Sequence, residues 1–366
     1  MKKRIRVGVL FGGRSGEHEV SLTSAASVIS ALDPTKYQVV PIGITREGRW
    51  HMGVGSRGPL SEVLQKGQVI IPSAEPRAPH FFPCNSKGIA KRARAVDVIF
   101  PVLHGTFGED GTIQGLLELA GIPYVGAGVL GSAAGMDKDV MKRLFRDAGL
   151  PVVEWVLVLR CEWKQKPTRL RRKIEKELGY PLFVKPANLG SSVGISKVHN
   201  RRELAPAIDL AAGYDRKVIV EKGLDAREIE CSVLGNDMPQ ASIPGEILPL
   251  NEFYDYEAKY VKEGSELVIP AKLSRNASRS VKDLALRAFR SVDCAGMARV
   301  DFLLDRPTGK FFVNEVNTIP GFTPISMYPK LWEASGLPYP ALLDRLIQLA
   351  LERHREKELT RYDYTN

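Results

Sequence analysis

Arg299-Val-Asp301, followed fourteen residues after the aspartate by Glu315-Val-Asn317, constrains the fold of this chain more than any other stretch. Residues 297–305 and 310–317 flank Arg306-Pro-Thr-Gly309, a run with Pro and Gly in turn-favouring places, so they read as two strands of a hairpin. Side chains alternate faces along a strand. With the loop running from Arg306 to Lys310, Asp301 stands opposite Glu315 and Arg299 opposite Asn317, while Val300, Phe302, Phe312 and Val316 take the other face. Such a face repels itself without a cation. Hard divalent ions such as Mg²⁺ take carboxylate, amide and phosphate oxygens, so the hairpin reads as a cation-holding phosphate site; the alternative is a solvated hairpin face.

The chain has 366 residues and 44% hydrophobic content, enough for two or three domains. No apolar run approaches the roughly 18 residues that span a bilayer. Lys2-Lys3-Arg4 leads into only a short apolar stretch, so neither a signal peptide nor membrane insertion is expected. Cys84, Cys161, Cys231 and Cys294 lie far apart, which fits reduced thiols of a cytoplasmic protein better than a zinc cluster or a disulfide scaffold. The net charge of +10 raises the question of a polyanion partner. The basic clusters at 87–94 and 164–176 carry no interleaved aromatics and no nucleic-acid motif, and they read as solvated faces. No nucleic-acid partner is expected.

Residues 5–11 form an apolar strand that runs into Gly12-Gly13-Arg14-Ser15-Gly16 and a helix over 19–32, the opening of a βα unit. Further strands at 39–44, 96–103 and 124–125, with a helix at 112–120, predict an N-terminal open parallel-sheet α/β domain over residues 1–133. Residues 48–90 show no readable pattern. From Met136, Met141, Leu144, Phe145 and Ala148 recur at helical spacing and open a second unit, 134–220. Its strands near 153–159, 182–185, 194–198 and 218–221, with helices near 170–178 and 203–212, read as α+β. The third unit, 221–366, runs through the hairpin to a closing helix at 339–353, whose charged extension is expected to fray.

Several segments offer chemistry. Lys185-Pro-Ala-Asn-Leu-Gly190-Ser191-Ser-Val-Gly194 is a Gly and Ser loop whose N–H groups suit phosphate oxygens, with a lysine at its base. It lacks the Gly-Lys-Ser end of a P-loop, and an ordinary flexible hairpin is the alternative. Lys138 is a second candidate phosphate ligand; a surface lysine is the alternative. Residues 218–224 read as a strand ending in a polar hinge at Glu221, Lys222 and Leu224, where backbone groups can read an adenine edge while Glu228 accepts ribose hydroxyls; a plain exposed strand end is the alternative. Residues 253–260 are aromatic and charged and suit a lid; a packed aromatic turn is the alternative. Gly12-Gly13-x-Ser15-Gly16 is not Gly-x-Gly-x-x-Gly, so a dinucleotide is not expected. Glu17 and His104 instead follow N-terminal strands, where open α/β sheets bind small ligands.

Gly12-Gly-Arg-Ser-Gly-Glu17-His-Glu-Val-Ser, His104-Gly-Thr-Phe-Gly-Glu-Asp-Gly-Thr-Ile-Gln-Gly115, Met136-Asp-Lys138, Gly190-Ser-Ser-Val-Gly194, Tyr256-Glu-Ala-Lys-Tyr260 and Asn314-Glu-Val-Asn-Thr-Ile-Pro-Gly321 together closely resemble the D-alanine:D-alanine ligases of the ATP-grasp superfamily. The resemblance covers almost the whole chain in order. It implies an N-terminal domain followed by a two-subdomain ATP-grasp fold, in a homodimer. It also implies ATP-dependent ligation of two D-alanine molecules through a D-alanyl phosphate, for peptidoglycan precursors. By the same resemblance Lys138, Lys185 and Lys259 hold phosphates, Glu221, Lys222 and Leu224 the adenine, and Glu228 the ribose. Asp301, Glu315 and Asn317 hold two Mg²⁺ or Mn²⁺ ions. Glu17 grips the first D-alanine ammonium, supported by His104 and Ser191, and Ser326 binds the second carboxylate. Arg299 and the Gly321 N–H face the oxyanion, and Ser191, Glu17 and Tyr260 form a hydrogen-bonded link. Tyr260 favours D-alanine over D-serine or a hydroxy acid as second substrate. Leu189 and Ile319 depart conservatively from the family pattern.

Overall fold

Every residue of the first strand from Val7 onward is buried, the pattern of an interior strand covered on both faces. The computed structural model describes residues 3–53, 59–76, 80–85, 88–89, 95–190, 193–249 and 265–362. Ser191, Lys259, Tyr260 and the rest of the expected lid at 253–260 lie outside the described residues. The first sheet comprises β1 (Ile5–Gly12), β2 (Tyr37–Ile44), β3 (Trp50–Met52), β4 (Gln68–Pro72), β5 (Phe81–Asn85), β6 (Gly88–Ile89) and β7 (Val98–Val102), in the order β6-β5-β4-β3-β2-β1-β7. β1 pairs in parallel with β2 and β7, as expected. From β2 to β6 the pairing is antiparallel, so the sheet is mixed rather than purely parallel. Those added strands come from the stretch without a readable pattern; runs this short offer too little periodicity to recognise.

The second sheet, β8 (Trp155–Leu159), β9 (Leu182–Pro186), β10 (Ser196–Val198) and β11 (Lys217–Lys222), is antiparallel in the order β10-β9-β11-β8. Helices Pro167–Glu177 and Arg201–Tyr214 cover it, burying Ile174, Leu204, Ile208 and Ala211 against Val156, Val184 and Val218. Before it, the helix expected from Met136 is Lys138–Asp147, and a separate helix, Val129–Met136, precedes it. Asp137 breaks the run because its carboxylate accepts the N–H groups of Asp139 and Val140, as an N-cap does.

The third sheet holds β12 (Ala226–Gly235), β13 (Gln240–Ala241), β14 (Gly245–Pro249), β15 (Ser265–Val268), β16 (Gly296–Asp305) and β17 (Phe311–Asn317), in the order β15-β14-β12-β16-β17 with β13 on β12. Helix Arg275–Ser291 presents Val281, Leu284, Ala285, Ala288 and Phe289 at helical spacing to Val300, Phe302, Val313 and Val316. The hairpin register puts Asp301 opposite Glu315 and Arg299 opposite Asn317, as the sequence predicts. Between Asp301 and Phe302 the pairing slips, so Phe302 faces Val313 and Leu303 faces Phe312. Val313, fully buried, therefore takes the core place expected for Phe312, which is only partly buried. Strict alternation would have sent Asn314 into the core, and an amide buried without partners costs about 1–3 kcal/mol. The bulge avoids that.

The last helix, Tyr339–Lys357, does not fray after Arg353. Arg353 donates to the carbonyls of Gly126 and Tyr124 and lies 4.5 Å from the Tyr124 ring centroid, and Lys357 pairs with Glu118. Leu342, Leu343, Leu346 and Ile347 share a core with Val7, Val9, Phe11 and Val98, so the C-terminal helix closes the first sheet. Phe322 belongs to the same core, its ring 5.7 Å from those of Phe100 and Tyr328. Phe322→Ala should lower stability by about 3–5 kcal/mol, read as a shift in the urea midpoint.

Candidate active site

A cavity of about 1100 Å³ is lined by residues of the second and third sheets and by Glu17, His104 and Glu109 from the segments that follow β1 and β7. Each candidate residue that lies within the described residues opens onto it. Glu17 and His104 come from the first domain, and Lys138 and Lys185 from the helix and strand beside it. The hinge supplies Glu221, Lys222 and Leu224, with Glu228 beyond, and the hairpin supplies Arg299, Asp301, Glu315 and Asn317. Gly321 and Ser326 follow. Residues more than 300 positions apart thus meet at one place.

On the hairpin, Arg299 Nε and Nη2 each lie 2.7 Å from an oxygen of Asp301, a bidentate pair between neighbours on one strand face. Nε also lies 3.1 Å from Glu230 Oε2. Burial opposes the charge on Arg299, but Asp301 and Glu230 outweigh it and raise its pKa well above the ordinary value. Asn317 donates to Asp301 Oδ2 over 2.9 Å. Lys138 donates to the Leu189 carbonyl over 2.7 Å and stands 4.0 Å from Glu315 Oε2. Among the described residues no three His, Cys, Asp or Glu converge to cage a metal by themselves. Asp301, Glu315 and the Asn317 amide oxygen instead make a partial shell of hard donors. That set fits Mg²⁺, which is usually held by one or two carboxylates and completes its shell with phosphate and water.

Helix Lys138–Asp147 turns Lys138, Met141, Lys142 and Phe145 inward. Lys142 Nζ lies 2.8 Å from one oxygen of Glu221, and Lys185 Nζ lies 2.5 Å from the other. Burial opposes ionisation of Glu221, yet the two lysines outweigh it and bring its pKa down to about 2. Burial, with a smaller repulsion from Lys185, pushes Lys142 down despite Glu221; Lys185 is raised, since Glu221 overcomes its burial. The Glu221 carboxylate is thus engaged by lysines, and any reading of a base falls to the hinge backbone. Of the hinge donors, Lys222 N–H already goes to Glu154 O and Gly223 N–H to Pro181 O.

At the other end, a Cβ on Gly105 would lie 2.6 Å from Glu17 Oε2 and one on Gly190 2.9 Å, so both glycines are required for the Glu17 carboxylate to sit between their loops. His104 is buried, which lowers its pKa and keeps it neutral. The Ile319 carbonyl, 3.1 Å from Nδ1, can only accept, so Nδ1 carries the proton and Nε2 accepts from Ser24 Oγ over 3.2 Å. Ser24 Oγ in turn accepts the Phe322 N–H over 3.3 Å. His104 therefore fastens the loop carrying Gly321 to the N-terminal domain. Ser326 Oγ bonds Thr323 N–H and Oγ1 over 3.0 and 2.8 Å. It packs so closely on Gly321 that a Cβ there would meet it at 2.6 Å.

Three site residues escaped the sequence reading. Glu228, Glu230 and Ser232 fall on one face of β12 while Ile229, Cys231 and Val233 take the other, and that alternation was its signal. Lys142 falls on the buried stripe of its helix, four residues after Lys138. Glu109 lines the cavity and accepts the Gly105 N–H over 2.8 Å; burial, then the charge of Glu17, raises its pKa well above the usual carboxylate range.

A mixed sheet followed by two antiparallel sheets, with lysines, a hinge strand and a carboxylate hairpin around one cavity, defines the ATP-grasp class. The chain belongs to the D-Ala–D-Ala ligase family: the model for "D-ala D-ala ligase N-terminus" matches residues 6–127 and that for "D-ala D-ala ligase C-terminus" residues 144–348. It is 55% identical over 362 residues to a D-alanine–D-alanine ligase of Thermoanaerobacter sp. (strain X514), covering 98% of this chain and 99% of the relative. Among solved structures it is similar to the D-alanine-D-alanine ligase from Coxiella burnetii, at TM-score 0.84 and 40% identity, covering 97% of this chain and 96% of that one. It is also similar to the VanG D-Ala:D-Ser ligase from Enterococcus faecalis, at TM-score 0.84 and 38% identity, over 95% and 100% of the two chains.

The folded pKa of Glu221 lies below its ordinary 4.5, so the stability its charge contributes is present above 4.5 and lost as the pH falls toward about 2. Glu221→Gln should cost about 3–5 kcal/mol at pH 7, by leaving two buried lysines uncompensated, and should flatten that acid-side loss. Lys142→Met leaves a one-to-one pair and should cost less. Urea unfolding from pH 7 down to pH 3 checks both.

Proposed function

We propose that this chain joins two molecules of D-alanine into D-alanyl-D-alanine, converting ATP to ADP and phosphate, for peptidoglycan precursors. The observation that carries the reading is one cavity onto which phosphate-sized lysines, a carboxylate hairpin and a glycine-flanked Glu17 all open, in a chain of this family. A carboxylate is a poor electrophile. Attack by its oxygen on the γ-phosphorus of ATP expels ADP and leaves an acyl phosphate with a good leaving group. Divalent cations, Mg²⁺ or Mn²⁺, held by Asp301, Glu315 and Asn317 would supply charge neutralisation for that transfer. Lys138 and Lys185, with Lys259, hold the phosphates; the hinge at Glu221, Lys222 and Leu224 takes the adenine and Glu228 the ribose. Val153, Phe183 and Leu303 in the lining suit the flat apolar face of a base.

Glu17 holds the ammonium of the first D-alanine, with Ser191 and Tyr260 linked to it. The amine of the second D-alanine, once it has lost a proton, attacks the acyl carbon, and phosphate leaves with the C–O electron pair. Arg299 and the Gly321 N–H stabilise the tetrahedral oxyanion. Ser326, at the N-terminus of helix Met327–Ala334, takes the second carboxylate where helix N–H groups favour an anion. The functional units are residues 1–133, 134–220 and 221–366, working in a cytoplasmic homodimer. No described helix is long and apolar enough to cross a membrane.

Incubation with ATP, Mg²⁺ and D-alanine should release ADP, phosphate and D-alanyl-D-alanine, while L-alanine should give none; equal turnover of both would sink the stereospecific assignment. In the same assay D-serine and D-lactate should be poor second substrates. Arg299→Ala should keep ATP binding yet lose about 10²-fold or more in turnover, the scale of a lost oxyanion donor; an active variant would remove that role.

A further inference from the structure

Glu230 is a buried carboxylate facing the site with no part in the steps above. On β12 it pairs with Asp301, which pairs with Glu315, so three carboxylates run in a row across three neighbouring strands. Ser232, Arg299 and Asn317 form the next row. Arg299 reaches from its row into the first, with Nε and Nη2 on the two oxygens of Asp301 and Nε also 3.1 Å from Glu230 Oε2. Its side chain is 19% exposed and that of Glu230 7%, so the bridge is shielded from water.

Asp301 therefore has two claims on it. Arg299 bonds both oxygens and Asn317 bonds Oδ2, yet a divalent cation between Asp301 and Glu315 needs lone pairs on the same carboxylate. A guanidinium displaced from Asp301 with no other anion nearby would be a buried, uncompensated cation, which is strongly unfavourable. Glu230 already stands within hydrogen-bond reach of its Nε.

We propose that Glu230 is a positioning residue that retains the Arg299 guanidinium as a divalent cation takes Asp301, so that loading the metal and aiming Arg299 at the reaction centre are a single exchange. This rests on the reading of Asp301 and Glu315 as cation ligands. Glu230 then aids metal binding without touching the metal. Its effect depends on Arg299, and Arg299 itself opposes the cation.

The test is equilibrium Mn²⁺ binding with saturating ADP, followed by the spin-resonance signal of free Mn²⁺, which needs no turnover. Four proteins are compared: wild type, Glu230→Gln, Arg299→Gln and the double variant. Glu230→Gln should raise the Kd about tenfold, the scale of one charged hydrogen bond. Arg299→Gln should lower it, and in that background Glu230→Gln should add about twofold or less, the coupling a double-mutant cycle isolates. A Glu230 effect of full size in the Arg299→Gln background would mean a metal ligand or a simple field effect and would overturn the proposal alone. No Mn²⁺ binding by the wild type would overturn the metal reading and the proposal with it. Should Glu230→Gln not fold, Arg299→Gln decides by itself: tighter binding supports the exchange, and unchanged or weaker binding overturns it.

Discussion

Along β17 the pairing to β16 slips by one residue at Asn314, and this slip lets Val313 and Val316 face the core while Glu315 and Asn317 face the cavity. Side chains have a period of two, so a displacement carried through the strand would move both polar groups into the apolar layer under helix Arg275–Ser291. The bulge confines the displacement to the turn end of the hairpin. Its core side is held by Val300, Phe302 and Val316 packing on Ala285, Ala288 and Phe289. Asp301, Glu315, Asn317 and Arg299 are therefore positioned by hydrophobic burial on the opposite face.

The cavity concentrates charge, and its organisation follows from the cost of leaving buried charge unmatched. Glu221 answers Lys142 and Lys185; Asp301 and Glu230 answer Arg299. For Glu109, burial and then the charge of Glu17 push the pKa well above the usual carboxylate range. The buried lysines, arginine and carboxylates around the cavity thus already compensate one another.

Much of this was legible in the chain. The hairpin register follows from period-two alternation and turn residues, and the β1–β2–β7 parallel core from short apolar strands alternating with helices. Short antiparallel strands β3 to β6 were not legible, because two to five residues cannot display a period. The charged end of the last helix looked free to fray, since its partners, Glu118 and the carbonyls of Tyr124 and Gly126, lie more than 220 residues away in sequence.

Residue chemistry and spacing within single elements were enough to nominate the site, because strand alternation and loop glycines are local properties. What only the tertiary structure decided is which charge faces which. Lys142 and Glu230 look like ordinary helix and strand residues until Glu221 and Arg299 are brought to them from distant segments, and Glu221 looks like a hinge carboxylate until two lysines close on it. Electrostatic partnership depends on distance and burial, and neither exists until the three sheets have packed around one cavity.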